Sequence, residues 1–136
     1  MNLTSMLRQR AADGKPVRAA LVGAGKFGSM FLSQIPTTPG LHLAGIADLS
    51  TDRAKAACKS VGWPDGKADA KDLDDAVKTG ATWVTEDSMA LISDPRIDVV
   101  VDATGIPTIG IKHALAAIDN GKHIVMVNVE ADVLAG

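Results

Sequence analysis

The sequence has little of several features that mark particular functions. Its 136 residues include no tyrosine, and aromatic residues make up only 3%, so we expect no stacking platform for nucleic-acid bases. The one cysteine, Cys58, excludes an intramolecular disulfide and a zinc site built from several cysteines. No apolar run reaches the roughly 18 residues that a membrane-spanning helix requires.

An excess of charge of one sign is also missing. The 14 lysines and arginines are balanced by 16 aspartates and glutamates, which gives a net charge of −2. We therefore expect neither a nucleic acid nor an anionic membrane as partner. Arg8 and Arg10 stand where a signal peptide would have its apolar stretch, which predicts a cytoplasmic protein. The composition, 46% hydrophobic and 22% charged, is typical of a folded domain.

Short apolar runs alternate with helix-period segments along the chain. The runs predict strands over residues 17–22, 41–47, 83–84, 97–103 and 124–127. Helices are predicted over residues 26–35, 51–60, 69–78 and 87–92. A short helix is also predicted before Asp13-Gly14, and another should begin near Glu130. One more helix is predicted from the apolar face formed by Ile111, Leu115 and Ile118. Continuously apolar strands separated by helices indicate an α/β fold with a doubly wound parallel sheet of the Rossmann type.

The most informative motif is Gly23-Ala24-Gly25-Lys26-Phe27-Gly28, which follows the first predicted strand and opens a helix. The dinucleotide-binding fingerprint requires that context. Gly23 permits a tight turn, Gly25 lets the backbone approach a diphosphate, and Gly28 lets the helix pack closely on the strand. The backbone amides of Lys26 and Phe27 would then face the diphosphate.

An acid at the end of the second strand completes the fingerprint. Asp48 lies 20 residues after Gly28, where its carboxylate would accept hydrogen bonds from ribose hydroxyls. The alternative is a plain glycine-rich turn with Asp48 as a helix cap. An aspartate here favours NAD(H), but the nearby Arg53 and Lys55 could accommodate the 2′-phosphate of NADP(H). The residues alone leave this choice open.

Two further strand ends carry polar residues. Ligands of open α/β sheets bind outside the carboxyl ends of the strands, so we expect Thr104 and Gly105 to line the cofactor cleft. Asn128 and Glu130 follow the fifth strand and would lie near the nicotinamide or the substrate. The alternative for Asn128 and Glu130 is the N-cap and first turn of a helix.

The remaining candidates for chemistry are weak. His113 and His123 are predicted to be surface or packing residues, and His42 has no evident partner in the sequence. Cys58 has no neighbours that would lower its pKa, so we predict an inert thiol. The acids Asp72, Asp74 and Asp75 lack calcium-loop spacing. No metal site is therefore predicted.

Three segments of the chain resemble a known family. Residues 17–28, 97–105 and 121–128 resemble the cofactor domain of homoserine dehydrogenases and, more broadly, the glucose–fructose oxidoreductase superfamily. Residues 26–31 and 128–134 resemble the 1-deoxy-D-xylulose 5-phosphate reductoisomerase-like members of the homoserine-dehydrogenase-like group. This resemblance implies NADPH-dependent reduction of a sugar phosphate in isoprenoid precursor synthesis. It shifts our cofactor choice towards NADP(H).

One departure from the family limits what can be transferred. Homoserine dehydrogenases have an Asn-Lys pair after the fifth strand, whereas Val129 follows Asn128 here. A lysine role therefore cannot be carried over, which counts against homoserine or a simple sugar as substrate. Glu130 resembles the glutamate of the Asn-Lys-Glu segment in authentic reductoisomerases. No catalytic acid or base is assigned.

The end of the chain bears on its organisation. Residues 133–136 follow directly on the last apolar segments, and members of the resembled family are much longer. We expect residues 1–136 to be the NAD(P)-binding domain of a longer enzyme that forms homo-oligomers through a later region. The alternatives are a homoserine dehydrogenase-like or polyol dehydrogenase-like enzyme and a nucleotide-sensing module without catalysis.

Overall fold

A computed structural model describes residues 2–127 as strands and helices in alternation. The strands are Val17–Val22 (β1), Leu41–Ala47 (β2), Trp83–Thr85 (β3), Val99–Asp102 (β4) and His123–Met126 (β5). The helices are Leu3–Ala12 (α1), Lys26–Gln34 (α2), Thr51–Ser60 (α3), Leu73–Thr79 (α4), Ser88–Ser93 (α5) and Pro107–Asp119 (α6). None of these helices is long and apolar enough to cross a membrane.

The strands form one parallel sheet in the order β3-β2-β1-β4-β5. The chain moves outward from β1 to β3 and then returns to the other side of β1. The carboxyl ends of β1, β2 and β4 lie level, since Val22 is in register with both Ala47 and Asp102. The point where the strand order reverses is where open α/β sheets bind ligands. The predicted doubly wound Rossmann fold is confirmed.

Helices cover both faces of the sheet and bury two apolar clusters. One cluster joins β1 and β2 to α2 and α3 and includes Leu32, Cys58 and Trp63. The Trp63 indole donates a 2.8 Å hydrogen bond to the Leu32 carbonyl, so its polar group is satisfied inside the core. The other cluster packs α4, α5 and α6 on the opposite face and includes Leu91.

Two helices differ from the sequence predictions. α4 begins at Leu73 rather than near residue 69, because the Asp72 carboxylate caps it by accepting a 2.8 Å hydrogen bond from the Asp75 amide. α6 turns a different face to the sheet: Gly110, His113 and Ala117 are buried, whereas Leu115 and Ile118 are 58% and 64% exposed in the described structure. Two of these buried residues, Gly110 and Ala117, are small and let α6 lie close to the strands.

Candidate functional site

A cavity of about 550 Å³ opens at the carboxyl ends of β1, β2 and β4. Four segments that follow strands β1 to β4 contribute to its lining. The structure brings five of the predicted site residues to this cavity: Gly23, Gly25, Asp48, Arg53 and Thr104. Residues that are far apart in the sequence therefore face one space, because the parallel strands end at one edge of the sheet.

The structure explains two of the three glycines in the glycine-rich turn by the conformation and packing of the chain itself. Gly23 has φ +92°, and a Cβ there would lie 2.8 Å from the Ala103 carbonyl carbon. A Cβ on Gly28 would lie 2.7 Å from the Gly23 carbonyl oxygen, so this glycine permits close helix–strand packing. Gly25 has φ −75°, and a Cβ there would meet no atom within 4 Å. Neither the backbone nor a neighbour requires glycine at this position.

The open space above Gly25 fits a diphosphate group. Gly25 is the N-cap of α2, and as a glycine it has no side chain that could cap the helix. The first amides of α2, from Lys26 onward, therefore receive no hydrogen bond from an N-cap side chain, and such amides bind anions. A cradle that a Cβ would narrow, next to an uncapped helix start, is the arrangement that a dinucleotide requires.

Asp48 and Arg53 form an ion pair at the end of β2. The Arg53 Nε donates to Asp48 Oδ2 at 3.1 Å, and Nη2 donates to Oδ1 at 2.7 Å. Oδ1 also accepts a 2.8 Å hydrogen bond from the Leu49 amide. The hydrogen bond to Asp48 and its negative charge together raise the pKa of Arg53. The Asp48 side chain is 3% exposed and that of Arg53 is 62% exposed, so the guanidinium is the accessible partner.

Asp102 is fully buried at the end of β4 and organises the loop that follows. Its Oδ1 accepts 2.9 Å hydrogen bonds from both the amide and the hydroxyl of Thr104. Burial raises the pKa of Asp102, but the nearby His113 ring and the hydrogen bonds from Thr104 outweigh burial and bring the pKa below its ordinary value. The carboxylate thus holds Thr104 against the cavity, where the sequence predicts it.

His113 is a cavity residue that sequence reasoning did not assign to the site. It is 5% exposed; its Nδ1 lies 3.4 Å from Asp102 Oδ2, and its Nε2 lies 3.1 Å from Ser88 Oγ. With a proton on Nδ1, on the side of the carboxylate, Nε2 would accept a hydrogen bond from the Ser88 hydroxyl. The signal available was the spacing of His113 with Gly110 and Ala117 on one helix face.

Several predicted residues lie elsewhere. Gly28 and Gly105 do not line the cavity, and Asn128 and Glu130 lie outside the described residues. His42 has a partner after all, since its Nε2 lies 2.8 Å from the Ala81 carbonyl oxygen. Within residues 2–127, no cluster of His, Cys, Asp and Glu could hold a metal ion.

Comparison with known proteins identifies the family. The profile of the oxidoreductase family with an NAD-binding Rossmann fold, GFO/IDH/MocA, matches residues 17–127. This match covers most of the chain, which therefore belongs to that family. The Pseudomonas aeruginosa homoserine dehydrogenase is 32% identical over 114 residues, which is 84% of this chain and 23% of that protein. The predicted likeness to homoserine dehydrogenases is confirmed, whereas closeness to the reductoisomerase-like group stays a prediction.

Solved structures share the fold. One is myo-inositol dehydrogenase from Lactobacillus casei, in complex with NAD(H) and myo-inositol. The match covers 82% of this chain and 28% of that protein, at 20% identity and with a TM-score of 0.60. Another is biliverdin reductase from Synechocystis sp. PCC 6803, in complex with biliverdin and NADP+. The match covers 82% of this chain and 29% of that protein, at 24% identity and with a TM-score of 0.61. This chain thus spans less than a third of each of these relatives.

Proposed function

We propose that this member of the oxidoreductase family is the NADP(H)-binding domain of an enzyme that interconverts an alcohol and a carbonyl compound. One observation carries the proposal: the uncapped start of α2, the open space above Gly25 and the exposed guanidinium of Arg53 all face one cavity. The bound cofactor would supply the hydride, and the chain would supply binding and orientation. The α2 amides would hold the diphosphate, and Arg53 would lie at the adenosine ribose.

The hydrogen bonds of Asp48 favour NADP(H) over NAD(H). Two donors already occupy Oδ1, and Arg53 Nε occupies one position on Oδ2. A carboxylate oxygen accepts about two hydrogen bonds, so Asp48 can accept only one more. Selectivity for NAD requires this acid to accept hydrogen bonds from the ribose hydroxyls. The charge of Asp48 is moreover offset by Arg53, whose three remaining N–H donors can bind a 2′-phosphate.

The test is calorimetric titration of the chain with NADPH and with NADH. We expect Arg53→Gln to weaken NADPH binding by about 10–100-fold, the value of a charge-assisted hydrogen bond to phosphate, and NADH binding much less. Lys55→Gln is the matched control, because Lys55 lies on the same helix but pairs with Asp69 at 3.4 Å and does not line the cavity. Gly25→Val should abolish binding of both cofactors.

Three results would contradict parts of the proposal. Equal losses for NADPH and NADH in Arg53→Gln would remove the 2′-phosphate assignment but leave the dinucleotide site intact. Tighter binding of NADH by the unsubstituted chain would mean that Asp48 exchanges Arg53 for the ribose. Unchanged affinity in Gly25→Val would remove the diphosphate assignment itself.

For the substrate we propose a sugar phosphate related to 1-deoxy-D-xylulose 5-phosphate. The support is the resemblance of residues 26–31 and 128–134 and the departure at Val129. The 32% identity to a homoserine dehydrogenase favours homoserine as the alternative. The assay compares NADPH oxidation with 1-deoxy-D-xylulose 5-phosphate and with aspartate semialdehyde, in a protein of the relatives' length that carries this chain. Cofactor binding without turnover of any sugar phosphate, polyol or amino-acid aldehyde would favour a nucleotide-sensing module.

A further inference from the structure

A second cavity, of about 410 Å³, lies at the opposite edge of the sheet from the proposed cofactor cleft. Its walls come from the beginnings of β1 and β2 and from the segment between α4 and β3, where Gly80 and Thr82 contribute. The cofactor cleft is formed by the ends of the same strands. The whole length of β1 and β2 therefore separates the two cavities, and neither shares a lining residue with the other.

Three basic side chains line this amino-edge cavity: Arg18, His42 and Lys67. Arg18 and His42 occupy partner positions on β1 and β2, so their side chains leave the same face of the sheet side by side. Among the lining residues that the structure describes, none is an aspartate or a glutamate. This concentration of basic residues stands out in a chain whose net charge is −2.

The partners of these basic groups leave donors available. The buried Nε of Arg18 has no hydrogen-bond partner within residues 2–127, and its guanidinium forms no ion pair there. The carboxylate of Asp98 lies near Arg18 but accepts its backbone amide, at 2.9 Å. A buried donor without an acceptor costs free energy, which a bound anion would recover.

The other two groups are also compatible with an anion. His42 directs Nε2 to the Ala81 carbonyl, so a second proton would go to Nδ1. The Lys67 ammonium lies 5.4 Å from the centroid of the Trp63 ring, without an ion pair in the described structure. Burial lowers the pKa of His42; the Ala81 carbonyl opposes this, and the positive charges of Arg18 and Lys67 lower the pKa further. An anion between them would reverse that repulsion.

We propose that the amino-edge cavity binds a small anion with a phosphate-sized group through Arg18, His42 and Lys67. The volume holds a phosphate or a small phosphate ester, and the three basic residues line it from two strands and one loop. This site is separate from the cofactor cleft and does not depend on the function proposed above. A ligand here would contact the beginning of β1, whose end carries the glycine-rich turn.

The test is a titration of the ¹⁵N-labelled chain with inorganic phosphate, followed by NMR at constant ionic strength and pH 7. We expect saturable shifts of the His42, Gly80 and Ala81 amides and a rise in the pKa of the His42 ring. Lys67→Gln and Arg18→Gln should each weaken the affinity about tenfold, the value of one charge-assisted hydrogen bond. Lys59→Gln is the control, since this exposed lysine lines neither cavity.

The resonances also separate this site from the cofactor cleft. Shifts confined to residues 23–28 would mean that phosphate binds only at the start of α2, and the proposal would be wrong. Shifts that rise linearly without saturation, or that persist unchanged in Lys67→Gln and Arg18→Gln, would overturn it too. Because Lys67 lies in a surface loop, its substitution should leave the fold intact and keep the result interpretable.

Discussion

Asp102 offers the sharpest test of how the cavity wall is built. The carboxylate is fully buried and accepts from the amide and hydroxyl of Thr104, while its second oxygen faces His113 Nδ1. In Asp102→Ala the Thr104 amide loses this acceptor, at about 1–3 kcal/mol. His113 Nδ1 loses less, because the carboxylate oxygen 3.4 Å away is not aligned to accept a hydrogen bond from it. The Thr104 hydroxyl can rotate and so costs less. We therefore expect the free energy of unfolding to fall by about 2–4 kcal/mol.

Asp102→Asn separates shape from charge at the same position. The amide oxygen can still accept from Thr104, but an NH₂ group would face His113 Nδ1. His113 can respond by moving its proton to Nε2, which then donates to the hydroxyl of Ser88. We expect a loss of about 1–2 kcal/mol, well below that of Asp102→Ala. Urea unfolding followed by far-ultraviolet circular dichroism measures both values.

The pH dependence gives an independent readout. Because the folded pKa of Asp102 lies below its ordinary value of about 4, the folded state binds this proton less readily than the unfolded state. The carboxylate therefore contributes stability above pH 4 and loses it as the pH falls through the folded pKa. The advantage of the unsubstituted chain over Asp102→Asn should shrink below about pH 4. A constant gap from pH 7 to pH 3, or an Asp102→Ala loss under 1 kcal/mol, would refute this reasoning.

Three further predictions concern the turn and the core. Gly28→Ala should lower the free energy of unfolding in urea by about 1–3 kcal/mol, because the added Cβ would lie 2.7 Å from a backbone oxygen. Gly25→Ala is the comparison, since a Cβ there meets no atom within 4 Å, and equal stability of the two variants would contradict this reasoning. Burial raises the pKa of the Cys58 thiol to about 11, so iodoacetamide at pH 8 should react at least tenfold more slowly than in urea, and comparable rates would disprove it. Trp63→Phe should cost about 1–2 kcal/mol, since a buried carbonyl loses its 2.8 Å hydrogen bond, and a change below 0.5 kcal/mol would count against that bond.

Local patterns were sufficient to predict the strands that form the site. Val17–Val22 and Leu41–Ala47 are strands over the predicted residues, because short apolar runs end abruptly at Gly23 and Asp48. The fingerprint was readable for the same reason, since its glycines follow a strand at fixed spacing. Such signals depend only on neighbours in the sequence, and they were enough to predict the fold class and the edge of the sheet at which the cavity lies.

Contacts across the fold could not be read in this way. Ile111, Leu115 and Ile118 form the apolar stripe that periodicity selects, yet Leu115 and Ile118 are exposed in the described structure and the sheet receives Gly110, His113 and Ala117. The choice depends on how closely α6 approaches the strands, which is a tertiary property. The pairing of His113 with Asp102 was hidden for the same reason, because it exists only when α6 packs against the end of β4.

The two acids at the ends of β2 and β4 show why residue type and position are not enough to assign a role. Asp48 and Asp102 both end strands that flank β1, and both are buried. Asp48 lines the cavity and is paired with an exposed arginine that a ligand can reach. Asp102 is enclosed by Thr104 and His113 and does not line the cavity. The same carboxylate thus holds an exposed arginine at the cavity in one place and positions a loop in the other, and its partners decide which.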